Sequence, residues 1–458
     1  MSAPRTLTPR VDSELSARFG RSAAAVDEGH WMRTSDVEPW LRERARAHRL
    51  RVRRVPFEDL DGWSFQEGTG NLSHRSGRFF TVEGLRTTGG PGSADAREQP
   101  VIHQPEVGIL GILAKEFDGV LHFLMQAKAE PGNPEPVQLS PTVQATRSNY
   151  TGAHGGSRVR YLDHFIRTGG GRVLVDTLQS EHGEWFYRKS NRNVMVETSG
   201  HVEADDDFCW LTLGQIGALL RRDLLVNMDS RSVLAGAPMP GAEPGALCPD
   251  VALHSWLATH RAGSDMRSGL VPLAGLRGWQ RGPASIESTS RGGFRVVAVQ
   301  VEAEKREVPG WSQPLVEPAE HGLSAFLLRR FDGVPHLLAH ARTEGGLTDV
   351  VELAPTVQGV PEEPSARGRT PFLDEVLSGA SERTLFDARH SEEGGRFLNA
   401  VSRYAVVEAG PDTASRTPPP GYLWVTPGQL GDLVRQGRYV NVQARTLISM
   451  LATGAVAL

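Results

Sequence analysis

In the first half of the chain, side chains able to grip phosphate, stack on a ring and move a proton lie close together. Lys128, Arg147, Asn149, Tyr150 and His154 flank the phrase PTVQ, and Glu181, His182, Trp185, Arg188, Lys189 and Arg192 follow in SEHGEWFYRKSNRN. Guanidinium groups present planar forks that match phosphate oxygens. Aromatic faces stack on a nucleobase. A neutral imidazole, or a carboxylate poised near neutrality, abstracts a proton. The glycines around His154 in TGAHGGSRVR let backbone approach a ligand closely, with Arg158 and Arg160 beside them. Such a set suits a nucleotide or nucleotide sugar; it also fits an exposed loop whose glycines serve turns and whose arginines serve solubility.

Composition excludes several classes. Fifty basic residues against 54 acidic ones give a formal charge of -4, and no run of one sign tracks a nucleic-acid backbone. Trp185, Phe186 and Tyr187 interleave with Arg188, Lys189 and Arg192, yet no RNA-module signature accompanies them. An anionic ligand is therefore expected to be held locally, by a few arginines. The 15 histidines are scattered without HEXXH or any metal-ligand spacing, so no metal is expected. Nothing resembles GxSxG, GxGxxG or a phosphate loop. Cys209 and Cys248 make no disulfide framework. No apolar leader or membrane-length stretch is present, and the expected setting is cytoplasmic.

The residues that must position this chemistry come in two copies. PTVQ recurs at Pro141 and Pro355, and further matches keep the same order on both sides. EPWL at Glu38 answers HSWL at His254, and VPFEDLDGW at Val55 answers VPLAGLRGW at Val271. FDGVLHFLMQAKAE answers FDGVPHLLAHARTE, YLDHF answers FLDEV, and SEHGEWF answers SEEGGRF. WLTLGQIGALLRRDLLVNMDSRSVL from Trp210 answers WVTPGQLGDLVRQGRYVNVQARTLI from Trp424. The offset drifts only between 211 and 216, which gives two units of about 200 residues. We divide the chain into an N-terminal arm 1–32, a first repeat 33–234, a Pro/Gly-rich surface linker 235–248, a second repeat 249–451 and a tail 452–458; the first thirty residues are an arm or a frayed tail.

Each unit mixes structure types. FDG reads as a tight turn joining GILGILAKE to VLHFLMQ in a hairpin, and RVLVDTLQSEH reads as a strand. VEPWLRERARAHRL, RYLDHFIRT and LTLGQIGALLRRD carry helical spacing. Thr212 and Gln215 form a capping box, and TPGQ at Thr426 adds proline at the first helical position. The fold class is α+β, with an antiparallel or mixed sheet in each unit.

Where the copies differ, one has kept or lost a task. Lys128, Arg147, Asn149, Tyr150, His182 and Trp185 align with Arg342, Pro361, Glu363, Pro364, Glu393 and Arg396, while Arg188 falls near Asn399. Prolines and added acids are poor groups for holding phosphate, so the working site is expected in the first unit. Gln144, Arg192, Asn227 and Arg231 recur in the second unit as Gln358, Arg403, Asn441 and Arg445, and Trp63 as Trp279.

HQPEVGILGILAKEFDGVLHFLMQAKAEPGNPEPVQLSPTVQATRSNYT, with SEHGEWFYRKSNRN and the repeated arrangement, resembles the NDP-hexose 2,3-dehydratase family over nearly the whole chain. The resemblance implies a tandem duplication of a mixed-sheet module with Nudix-like topology, assembled as a homodimer. The Nudix box GX5EX7REUXEEXGU is missing from both units, which removes the acidic ligands of a metal-dependent pyrophosphohydrolase. The implied substrate is a nucleoside-diphospho-4-keto-6-deoxyglucose, most often the dTDP form. Loss of the C3 proton and the C2 hydroxyl gives an NDP-3,4-diketo-2,6-dideoxyhexose for deoxysugar and antibiotic biosynthesis. No cofactor is consumed, and a labile product calls for an NADPH-dependent 3-ketoreductase.

On residue chemistry, His182 or Glu181 is the C3 base, Tyr150 or Lys128 the donor to the developing C4 oxyanion, and Lys189 an acid. Arg147, Arg188, Arg192 and Arg231 are the diphosphate candidates, with Asn149 and Asn227 as further substrate contacts and Trp63 or Trp185 stacking on the base. The alternatives are a non-catalytic nucleotide-sugar binding or scaffold protein and a Nudix-like hydrolase.

Overall fold

The computed structural model describes residues 13–90, 96–146, 159–166, 171–239, 245–290, 292–304, 310–361, 370–378, 381–410 and 415–458. Each repeat builds a seven-stranded mixed sheet around its Phe-Asp-Gly hairpin. In the first, Gly108–Phe117 and Val120–Ala129 pair antiparallel, with Asp118 and Gly119 at φ 50° and 78° in the turn. Positive φ at both central residues is what a two-residue turn needs to match strand twist. Asp332 and Gly333 repeat it at 52° and 85°. Ser190–Glu197 lies parallel to Gly108–Phe117 and antiparallel to Arg172–Ser180, so the sheet is mixed. The second sheet keeps this order, with Val401–Glu408 parallel to Gly322–Phe331 and antiparallel to Thr384–Ser391. The central strands are buried on both faces along most of their length, which explains their near-continuous apolar runs.

Two smaller sheets are completed by exchange. Leu50–Val55 of the first repeat pairs with Phe294–Ala303 of the second, and Arg267–Val271 of the second pairs with Thr81–Thr88 of the first. Each donated strand closes an edge that its recipient would otherwise leave open. The repeats therefore share structure at both ends of this crossover.

Helices seal the large sheets. Thr212 and Thr426 make both bonds of the expected capping box, and Pro427 opens the second of these helices. RYLDHFIRT yields only the four-residue helix Asp163–Ile166. The arm is not frayed through residues 13–24. Ser13–Ala24 is a helix whose Phe19 is fully buried against Phe123, and Ser22 Oγ donates to the Leu121 carbonyl. Nor is the linker wholly at the surface, since Ala235, Ala237 and Met239 are buried. In the tail, Ala455 and Val456 are buried as well, an apolar face that its short sequence did not reveal.

Candidate active site

The loop after the strand Arg172–Ser180 and its counterpart after Thr384–Ser391 each cross to the other repeat. Gly346 N donates to the Gly183 carbonyl at 2.8 Å and Arg188 N to the Gly346 carbonyl at 2.6 Å. The counterparts do the same, Gly132 N to the Gly394 carbonyl and Asn399 N to the Gly132 carbonyl, both at 2.7 Å. A Cβ at Gly132 would stand 1.7 Å from the Phe397 carbonyl, and one at Gly346 would stand 2.0 Å from that of Phe186. No side chain fits there, which is why both clamps use glycine.

This crossing brings Glu393 and Arg396 to the first repeat. Glu393 interacts electrostatically with Glu130, Glu181 and Lys189, and Arg396 Nε donates to Gln104 at 3.1 Å. The cluster is tightly buried: Glu181 is 1% exposed, Asp229 3%, Glu130 5% and Lys189 5%. Asn191 donates to Glu181 Oε1 at 2.7 Å and Gln144 to Glu130 Oε1 at 2.8 Å. Glu181 Oε2, Asp229 Oδ1 and Glu393 Oε2 are buried without a hydrogen-bond partner among the described residues. Burial raises the Glu181 carboxyl above its usual range, Asp229 well above it, and Glu393 to about 7. Burial lowers the Lys189 ammonium, against the pull of Glu393 and Glu181. Half-satisfied carboxylates beside a weakened ammonium are equipped for proton transfer rather than for holding structure together.

The opposite loop carries His182 and Trp185 to the second repeat, where they line a cavity of about 300 Å³ with Arg342, Gln358, Glu392 and Gln443. His182 Nε2 lies 3.0 Å from Glu392, its Nδ1 lies 3.0 Å from the Gln443 amide, and Trp185 stacks on its ring. Burial alone would lower His182, but Glu392 outweighs it and the imidazole is raised. Burial alone would raise Glu392, but His182 holds it below the usual range. The two form an ion pair. The buried carboxylates here are all held: Glu392 by His182 and Tyr404, Glu344 by Arg342 and Gln358, and Glu352 by Ser180.

A family model for NDP-hexose 2,3-dehydratase matches residues 34–236 and again 250–451. The chain belongs to the NDP-hexose 2,3-dehydratase family. It is 54% identical over 455 residues to a dTDP-4-dehydro-6-deoxy-alpha-D-glucopyranose 2,3-dehydratase of Amycolatopsis orientalis, covering 98% of this chain and 96% of that one. It is 45% identical over 469 residues to the Saccharopolyspora spinosa enzyme of that name, with 96% of each covered. Against the Streptomyces violaceoruber enzyme of that name it is 46% identical over 432 residues, covering 92% of this chain and 97% of the relative.

In this member of the NDP-hexose 2,3-dehydratase family the expected site residues separate. Glu181, Lys128 and Lys189 come together, with Lys128 Nζ 3.7 Å from Glu130. Arg147, Asn149, Tyr150 and His154 lie outside the described residues. His182 and Trp185 face the second repeat, although His182 still interacts electrostatically with Glu181. The base-stacking role expected of Trp63 is not supported: it is buried among the small-sheet residues and donates to the Ser312 carbonyl at 3.0 Å.

The diphosphate role of Arg231 is also corrected. Its guanidinium is fully buried and donates to the carbonyls of Val226 and Ser391, leaving no fork for a ligand. Asn227 caps the helix Met228–Leu234 and donates to Ser140, a structural post. Arg192 forks onto Asp176 at 2.8 and 2.6 Å. Arg188 is exposed, at φ 50°, with its guanidinium over the Tyr187 ring. Sequence reasoning missed Asp229, Glu130, Glu393 and Arg396. Asp229 stands opposite Gln443 within matching phrases, a difference that pointed to it. Glu393 and Arg396 are encoded in the second repeat, as aligned, but their loop packs against the first.

Among the described residues no three His, Cys, Asp or Glu side chains are placed to hold a metal ion, and no helix is long and apolar enough to cross a membrane.

Proposed function

We propose that this chain removes water across C2 and C3 of a nucleoside-diphospho-4-keto-6-deoxyglucose, the reaction its relatives are named for with the dTDP sugar, and that the reaction takes place in the first repeat. One observation carries the placement: unpartnered oxygens on Glu181 and Asp229 share a buried cluster with Lys189. The C4 ketone acidifies the C3 hydrogen. Glu181, made more basic by burial, takes that proton. Charge develops on the C4 oxygen, with Lys128 as its donor; a well-placed donor contributes about 3 to 4 kcal/mol. The C2–O bond then breaks, and the hydroxyl leaves as water after taking a proton from a second group. The C2–C3 enol gains a proton at C2 and becomes the 3,4-diketone, with no net oxidation.

The finer expectations enter here as proposals. Residues 33–234 are the catalytic module and 249–451 its homologous partner. The mixed sheet with one parallel pair, sealed by helices, supports a Nudix-like topology. A homodimer and a coupled NADPH-dependent 3-ketoreductase follow from the family resemblance and from the lability of a 3,4-diketone.

The test supplies purified protein with dTDP-4-keto-6-deoxyglucose, a 3-ketoreductase and NADPH. Water loss matched one for one by NADPH consumption is expected. Binding of the sugar nucleotide with neither change would instead support a scaffold.

A further inference from the structure

We propose that Glu393, carried across from the second repeat, is the acid that protonates the departing C2 hydroxyl in the first repeat's site. The inference rests on the dehydration read above and adds to it a catalytic residue from the other half of the chain.

The geometry separates Glu393 from its neighbours. Glu130 is held by Gln144, Asn133 and Asn227, and Glu181 by Asn191. Lys189 donates one of its three N–H groups to the Glu106 carbonyl. Glu393 Oε2 is buried without a hydrogen-bond partner among the described residues. Its loop is pinned on both sides, by Gly132 N on the Gly394 carbonyl and by Asn399 N on the Gly132 carbonyl. Gly395 sits so close that a Cβ there would lie 3.8 Å from Glu130 Oε1, which places the loop against the first repeat's carboxylates.

Asp229 is the rival, but it is only 3% exposed, whereas Glu393 is half-buried as a residue. Burial also pushes the Glu393 carboxyl up to about 7, while burial and the neighbouring carboxylates raise Asp229 well above its ordinary range. A general acid works best when its pKa lies near the operating pH.

The step balances without a co-reactant. The C2–O electron pair stays on oxygen as the enolate electrons form the C2–C3 double bond. The Glu393 O–H bond breaks and its proton joins that oxygen, water departs, and a solvent proton restores the carboxyl.

Glu393→Gln preserves the side chain's shape and tests the assignment with two substrates. The hydroxyl substrate should lose about 100-fold or more in kcat. The analogue with fluorine at C2 expels fluoride without protonation, and should react within about threefold of the wild-type rate. Affinity for thymidine diphosphate should not change. Equal slowing of both substrates, or hydroxyl turnover within threefold of wild type, overturns the proposal. The wild-type protein gives an independent reading: its hydroxyl-substrate kcat should fall as pH rises through about 7, and fluoride elimination should lack that limb. A limb common to both substrates overturns the acid role. Failure of the wild type to dehydrate the hydroxyl substrate at all would count against the dehydration itself and is read separately from the variant's ratio.

Discussion

Arg445 donates through Nη2 to the backbone carbonyl of Ser180 at 2.6 Å, and Arg231 makes the matching bond to Ser391 at 2.5 Å. Each guanidinium also holds a carbonyl at the start of its own helix, Val440 for Arg445 and Val226 for Arg231. Two fully buried cations thus staple each repeat to the strand end from which the other repeat's crossing loop departs.

Removing Arg231 leaves those carbonyls unpaired in the interior. Arg231→Met should cost about 3 kcal/mol or more in urea unfolding, while protein that remains folded binds thymidine diphosphate within about threefold of wild type. Loss of binding at unchanged stability would restore the diphosphate role.

Glu181 and His182 are adjacent in sequence yet take different hydrogen-bond partners, Asn191 and Glu392. Glu181→Gln should lower kcat by about 100-fold or more, and His182→Gln by less than about tenfold. Steady-state kinetics with the ketoreductase trap measures both. The reverse order would make the imidazole the base.

The His182–Glu392 pair links stability to pH. With His182 raised, its contribution is complete below the ordinary imidazole range and is lost as pH rises through its folded pKa. With Glu392 lowered, its contribution is complete above the ordinary carboxylate range and is lost as pH falls through its folded pKa. His182→Gln should therefore cost about 3 kcal/mol near neutrality and flatten both limbs of the melting temperature against pH.

Gly132→Ala drives a methyl into the Phe397 carbonyl and should displace the loop that carries Glu393. Gly346→Ala does the same to the loop that carries His182. Both should lower the melting temperature, and Gly132→Ala should reduce kcat more than about tenfold.

Phe19→Ala should cost about 3 to 5 kcal/mol, measured by denaturant unfolding, because the N-terminal helix is part of the core. A loss under about 1 kcal/mol would return this segment to the status of an arm.

Much of the local structure was legible. Phe-Asp-Gly between apolar runs specifies a two-residue turn, Thr212 with Gln215 specifies a capped helix, and matching phrases at a steady offset specify two copies of one fold. Residue type alone named members of the proposed site. Glu181, Lys128 and Lys189 were named from their chemistry and are found together. Trp63, Asn227 and Arg231 were named on the same grounds and turned out to be structural, because an arginine that binds phosphate and one that holds buried carbonyls look alike in sequence.

Sequence alone determined the duplication, the element types and the family, since each rests on short-range patterns that one chain segment carries by itself. Tertiary structure decided which residues share a site. Glu181 and His182 follow the strand Arg172–Ser180 and take different partners, Asn191 and Glu392, and a glycine clamp carries each loop to the opposite repeat. A comparison of aligned positions therefore assigned Glu393 and Arg396 to the half that encodes them, when packing delivers them to the other.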